Sequence, residues 1–165
     1  MMTEPKIERR KKKNYVAIRM AVAIPLGKYL QPAWDEVYDW MSQKEIQPSG
    51  PALIRYLTTD MSTELDIDVG FTTDKAVKGD ERITAGVLPA GKYATLLYTG
   101  PYKGKGILKA TVALLEWAKA NNVKWDTSKR KAVEWWNGRV EFYTSDPAVE
   151  KDPTKFKTEL AFLVK

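Results

Sequence analysis

The sequence predicts an α+β fold of two β-α-β-β repeats with pseudo-twofold symmetry, an antiparallel sheet with helices on one face, and a central ligand groove. Three observations carry this. The order strand, helix, strand, strand is read twice along the 165 residues. Short echoes accompany it: Tyr56-Leu57-Thr58-Thr59-Asp60 against Tyr143-Thr144-Ser145-Asp146, and Thr63-Glu64-Leu65 against Thr158-Glu159-Leu160. Each half also holds one apolar helical stripe that needs a sheet face to bury it. Two such units leave a groove where they meet, and ligands favour such junctions.

Residues 15–24 are rich in branched side chains and read as a strand buried on both faces. Pro25 and Gly27 punctuate the connection, and Pro32 suits a helix start. Trp34, Val37, Tyr38 and Met41 recur at helical steps and predict a helix over 33–44. Pro48 to Pro51 end it, and 52–58 is the next strand. Asp60-Met61-Ser62 predicts a turn. From 64 to 71 the chain alternates, with Glu64, Asp66 and Asp68 on one face. That face reads as solvent-exposed rather than as a metal site.

Residues 75–82 read as a linker before Leu88-Pro89-Ala90-Gly91 and a strand over 92–99. Gly100, Gly104 and Gly106 lack the spacing and the Lys-Ser/Thr of a phosphate loop. Ile107, Thr111, Leu114 and Ala118 give a helix over 107–121, with Leu108, Val112 and Leu115 beside the stripe. Residues 125–132 read as a polar excursion. Strands follow at 139–145 and 158–164, the latter with Leu160, Phe162 and Val164 inward. The domain is then 15–165, with repeat one at 15–74 and repeat two at 85–165, behind a basic leader at 1–14.

The chain has no cysteine and no histidine. Disulfides, the usual zinc sites and histidine-based triads are excluded, so acid–base chemistry would fall to Asp, Glu, Tyr or Lys. No cofactor and no metal are expected. No apolar run is long enough to span a bilayer, no signal peptide is visible, and a cytoplasmic protein is the default expectation. Much of the net charge of +6 lies in the leader, where Arg9-Arg10-Lys11-Lys12-Lys13 follows Lys6. The leader is expected to be solvated and to add little to thermal stability; without a base-stacking motif, nucleic acid is not expected as a partner.

The chemistry is best placed in the stretch 135–143, Trp-Trp-Asn-Gly-Arg-Val-Glu-Phe-Tyr. Alternation puts Val140 and Phe142 on one face and Arg139, Glu141 and Tyr143 on the other. One reading is a solvent-facing strand with Glu141 paired to a neighbouring cation. The other is a carboxylate among aromatic rings, which attracts a flat, bulky cation. The repeat brings the second level with the first and places Glu141 and Tyr143 on the face away from the helices.

These residues resemble the GyrI-like small-molecule-binding domain, which also serves as the effector-binding module of some bacterial multidrug-responsive regulators. The resemblance rests on Leu88-Pro89-Ala90-Gly91-Lys92-Tyr93-Ala94, Thr99-Gly100-Pro101-Tyr102, residues 64–71, and Arg139-Val140-Glu141-Phe142-Tyr143 with Asp146-Pro147. The N-terminal Thr3-Glu4-Pro5-Lys6-Ile7 is similar to stand-alone members. The resemblance implies a groove for hydrophobic, often cationic, aromatic compounds over an acidic floor. Glu141 takes the floor position; Tyr143, Tyr102 and Tyr56 supply the walls, with Trp136 near the rim. It also implies a second class, hydrolysis of cyclopropane-bearing genotoxic compounds, with Glu141 and Tyr143 catalytic. A third class is a macromolecule-interacting protein, such as a topoisomerase modulator, with the leader as contact. No helix-turn-helix fits in residues 1–14, which sets the chain apart from the regulators.

Overall fold

The computed structural model describes residues 1–59 and 64–165. Its elements are β1 (Lys6–Arg10), β2 (Lys13–Val22), α1 (Gly27–Gln43), β3 (Ala52–Tyr56), β4 (Leu65–Thr73), β5 (Thr84–Leu88), β6 (Gly91–Thr99), α2 (Gly106–Ala120), β7 (Thr127–Arg130), β8 (Val133–Trp136), β9 (Arg139–Tyr143) and β10 (Lys157–Leu163). Eight strands form one sheet in the order β1-β6-β10-β9-β3-β4-β2-β5, while β7 and β8 pair separately. Every pairing is antiparallel. The α+β class and the doubled β-α-β-β order stand, with β2-α1-β3-β4 answered by β6-α2-β9-β10. The turn expected at Asp60-Met61-Ser62, and Thr63 of the second echo, lie outside the described residues.

The sequence left out one strand on each repeat. β1 precedes β2 but pairs with β6 of the other repeat, and β5 precedes β6 but pairs with β2. The links Lys11-Lys12 and Pro89-Ala90 are too short to reach across a flat sheet, since three Cα steps span at most about 11 Å. The sheet is therefore curled until its two ends meet. The expectation of a solvated leader is corrected. Residues 6–10 form a ladder with β6, and Thr3 N–H reaches Leu97 O at 2.9 Å. A polar edge strand has no apolar periodicity to announce it; its partner lies far along the chain.

The exchanged strands fix one frame for both repeats. Arg10 faces Gly91 and Leu88 faces Lys13, each just before or after its link. Carried inward through the registers, this makes Tyr15 equivalent to Tyr93, Ile67 to Thr158, Tyr56 to Tyr143 and Ile54 to Glu141. The first sequence echo is in this frame; the second is not, since Leu160 answers Val69. Ile54 and Glu141 are also each other's partners across β3 and β9. The pseudo-twofold axis passes through that pair.

Both faces of the sheet are buried. Helix α1 sets Val37 and Met41 on Val16, Ile18, Ile54, Ile67 and Val69; α2 sets Ala110 and Leu114 on Ala94, Leu96, Leu160 and Phe162. The concave face, where the sheet ends meet, gathers Tyr15, Leu53, Leu88, Tyr93, Val140, Phe142 and Leu163. Each such large side chain contributes about 1.5–3 kcal/mol when fully buried. Both helices end alike, on a residue of positive φ (Glu45 at 57°, Asn122 at 57°). The next N–H then returns to a carbonyl of the last turn, Ile46 to Met41 at 2.8 Å and Val123 to Ala118 at 2.9 Å.

Three local expectations change. Pro32 lies inside α1, which already begins at Gly27. Residues 125–132 hold β7, and Lys131 and Ala132 turn it into β8 with φ of 51° and 65°, the positive pair that a tight hairpin needs. Asp68 is fully buried rather than solvent-facing: it is bonded by Arg19 Nε at 2.8 Å and by the Tyr15 hydroxyl. Among the described residues no helix is long and apolar enough to cross a membrane.

Deleting residues 1–10 uncovers the β6 edge and should lower the melting temperature by more than about 8 °C, roughly 2 kcal/mol for a chain of this length. A thermal melt of the truncated protein that matched the full chain would show that β1 contributes nothing in solution.

Candidate functional site

β9 alternates as expected, but the face is the opposite one. Val140 and Phe142 point into the concave core, so Glu141 and Tyr143 point to the side that carries α1 and α2. Alternation tells which residues share a face; it does not tell which of two buried faces meets the helices. The site lies over the β3–β9 pair, on the helix-bearing face.

Glu141 is 6% exposed. Its Oε1 accepts hydrogen bonds from the Tyr143 hydroxyl at 2.6 Å and the Tyr56 hydroxyl at 3.2 Å. These two tyrosines are equivalent in the two repeats, and they converge because the carboxylate stands at the axis between them. Among the described residues the carboxylate makes no ion pair. Burial pushes its pKa up; the phenol hydrogen bonds and the field of Arg139 pull it part of the way back. Tyr143 and Tyr56 are held well above the ordinary phenol value, first by burial and then by the neighbouring carboxylate.

Aromatic rings line the approach. Tyr102 meets Tyr143 edge-on with ring centroids 5.2 Å apart and stacks on Phe156 at 4.6 Å. The Tyr102 hydroxyl donates to Ser145 O at 2.6 Å, which fixes the ring over the β9–β10 end. Trp34 of α1 meets Tyr143 edge-on at 5.2 Å and is tied by its indole N–H to Leu53 O at 3.2 Å. Tyr56, Tyr102, Tyr143 and Trp34 are each half-buried, so the cluster runs from the covered carboxylate toward the surface.

Of the residues singled out in the sequence, Glu141, Tyr143, Tyr56 and Tyr102 come together. Trp136 is close by but not at a rim: it is 6% exposed and packs with Trp125 and Phe162 under α2. Its contact with the site runs through Arg139, whose guanidinium lies 4.5 Å from the Trp136 and Phe162 ring centres and 5.8 Å from Tyr56. Burial lowers the Arg139 pKa.

A family model described as the GyrI-like small molecule binding domain matches residues 3–165. The chain belongs to this family. No curated protein sequence matches it. The GyrI-like chain is similar in fold to EcmrR in its cryo-EM complex with DNA, with a TM-score of 0.76 and 16% identity over 98% of this chain and 57% of that one. It thus spans little more than half the length of EcmrR. It is similar to SAV2435 bound to tetraphenylphosphonium, with a TM-score of 0.64 and 13% identity over 99% of this chain and 94% of that one. It is also similar to a hydrolase from Listeria innocua, with a TM-score of 0.59 and 14% identity over 98% of this chain and 92% of that one. At these identities the likeness is one of fold.

Two members of this cluster carry no sequence signal of their own. Trp34 belongs to a helix stripe, and Phe156 lies between the breakers and the last strand. Only tertiary contact brings them to Tyr143 and Tyr102, whereas Arg139 shares the β9 face of Glu141, as alternation predicts. Gly100 and Gly106 also find their reason here. A Cβ at either would stand 2.3 Å or 1.8 Å from the Tyr98 hydroxyl, so the glycines make room for a ring and do not cradle a phosphate.

The electrostatics give a signed expectation. A carboxyl whose folded pKa is raised contributes stability below its unfolded pKa and loses it as pH rises through the folded value. Glu141→Gln keeps the shape without the charge. Its melting temperature should match wild type below the ordinary carboxyl value of 4.5 and exceed it increasingly above. Parallel melting curves across pH 4 to 8 would contradict this.

Proposed function

We propose that this domain binds bulky hydrophobic, cationic aromatic small molecules between its two helices, as a sensor or sequestering module for drugs or toxins. The single observation that carries the reading is Glu141: a buried carboxylate held by two neutral phenols, ringed by aromatic side chains, with no ion pair among the described residues. Leaving an ionised carboxylate without a counter-charge in a covered site is costly. A cationic guest offsets that cost, and ring faces add attraction for the same charge. Tetraphenylphosphonium, the compound bound to the structurally similar SAV2435, has this chemistry.

Fluorescence titration with a planar cationic dye should give a micromolar Kd, roughly −8 kcal/mol. Glu141→Gln should cost on the order of 1–3 kcal/mol for that dye and much less for a neutral isostere. Equal losses for the two ligands would assign Glu141 a structural role instead.

A second reading rests on the Tyr143–Glu141 bond of 2.6 Å, which pairs a carboxylate of raised pKa with a phenol. Such a pair suits hydrolysis of a cyclopropane conjugated to a carbonyl. Glu141 takes a proton from water, the water oxygen bonds to a ring carbon, and the breaking carbon–carbon bond delivers its electrons to the carbonyl oxygen, where Tyr143 donates a hydrogen bond. Incubation with a cyclopropane-containing alkylator should then yield a ring-opened hydroxyl product over many turnovers, slowed about a hundredfold or more by Glu141→Gln. Recovery of the intact compound after long incubation would leave binding alone.

A further inference from the structure

We propose that Thr158 is a second polar anchor of the Glu141 site, one that hydrogen-bonds an oxygen on the guest. The proposal rests on the reading of that site as the binding groove and adds to it the class of guest. Besides a cation and aromatic rings, the guest carries a carbonyl or hydroxyl group.

Thr158 begins the buried part of β10. It is 0% exposed, and its hydroxyl has no hydrogen-bond partner among the described residues. A buried polar group left unmatched costs about 1–3 kcal/mol, whereas valine would fill the same space without that loss. The other unmatched buried side-chain atoms among the described residues are the Nε atoms of Arg55 and Arg139. Arg55 has its remaining nitrogens bonded to Tyr15, Val87 and Asn137, and Arg139 lies on ring faces. Thr158 is the case with nothing to compensate it.

Its position is specific. Thr158 faces Tyr143 on one side and Tyr98 on the other, and it shares the helix-bearing face with Leu160 and Phe162. Glu141 is its diagonal neighbour on β9, which in antiparallel strands means roughly 7–8 Å between Cα atoms. The Tyr102 hydroxyl is bonded to the carbonyls of Ser145 and Lys157, the residue before Thr158, and its ring meets Tyr143.

Pseudo-symmetry sharpens the point. The position equivalent to Thr158 in repeat one is Ile67, fully buried in the apolar core under α1. The position equivalent to Glu141 is Ile54, also in that core. Strand preference would be met equally by isoleucine or threonine. Repeat two thus replaces two apolar core positions with polar groups, and the two replacements are neighbours on one face. Glu141 recognises charge. Thr158, which can donate or accept, recognises an oxygen set one small molecular span from that charge.

The test uses the full chain and two cationic probes: tetraphenylphosphonium, which has no hydrogen-bonding atom, and a rhodamine ester, which carries a carbonyl. Thr158→Val should melt no lower than wild type and bind tetraphenylphosphonium within twofold of it. Its affinity for the ester should fall roughly three- to tenfold, the ordinary worth of one hydrogen bond. Thr158→Ser, which keeps the hydroxyl, should restore ester binding. A lower melting temperature for Thr158→Val, or unchanged ester binding, overturns the proposal. Glu141→Gln separates the two levels. If it weakens both probes while Thr158→Val moves neither, the groove stands and the Thr158 role falls. If neither probe binds, or Glu141→Gln moves neither, the groove reading falls and takes this proposal with it.

Discussion

The antiparallel pairing of β3 with β9 is the constraint on which the site depends. It joins the two repeats and runs the pseudo-twofold axis through the Ile54–Glu141 pair. Everything near Glu141 follows from that placement. A carboxylate beside the axis is within reach of equivalent positions of both repeats, so one oxygen can accept from Tyr56 and from Tyr143. The strand exchange of β1 and β5 supports the geometry from the sheet ends, because each repeat is closed by backbone bonds to the other. Neither repeat has a complete sheet by itself.

Two buried carboxylates show how differently the fold treats a charge. Asp68 on β4 receives Arg19 through two nitrogens, at 2.8 Å and 3.0 Å, and the Tyr15 hydroxyl as well. Forked, charge-assisted bonds of this kind satisfy a buried acid. That network extends through Arg55 to Val87 and Asn137 and ties β2, β3, β5 and the β8–β9 turn together. Among the described residues Glu141 has only phenols as hydrogen-bond partners. The nearby cation, Arg139, spends its charge on the Trp136 and Phe162 rings. One buried acid is matched by a cation and the other is not, which is the contrast on which the proposed binding role rests.

The doubled order of elements, both helix stripes and the shared face of Glu141 and Tyr143 were legible in the sequence, because each rests on local periodicity. Tyr56 and Tyr102 were reached through the family resemblance; Tyr56 bonds Glu141, and Tyr102 meets Tyr143. What stayed hidden depends on pairing between distant segments. β1 and β5 are edge strands, one of them polar, and their partners lie in the other repeat. Asp68 looked solvent-facing, since alternation cannot reveal that the sheet curls and buries its second face. The same curl reversed the expected side for Glu141. Pro32 looked like a helix start, yet α1 accepts it one turn inside, where a first-turn carbonyl loses its partner. Thr158 carried no sequence signal at all, because an unmatched hydroxyl is defined only by what surrounds it.

A strictly symmetric site at this axis would set two acids side by side. Side chains directly opposite on antiparallel strands have Cβ atoms about 4.5–5.5 Å apart, and like charges there repel. A glutamate at both 54 and 141 would set two buried carboxylates against each other and keep one of them protonated. The phenols face no such conflict, so both Tyr56 and Tyr143 stand beside the acid. Ile54 opposite Glu141 keeps the charge single and avoids that repulsion. Once the charge belongs to one repeat, the surroundings of the carboxylate differ on its two sides: Arg139, Thr158 and Tyr102 belong to repeat two, and α1 contributes Trp34. A pseudo-symmetric frame thus yields a cluster whose polar groups lie to one side of the axis.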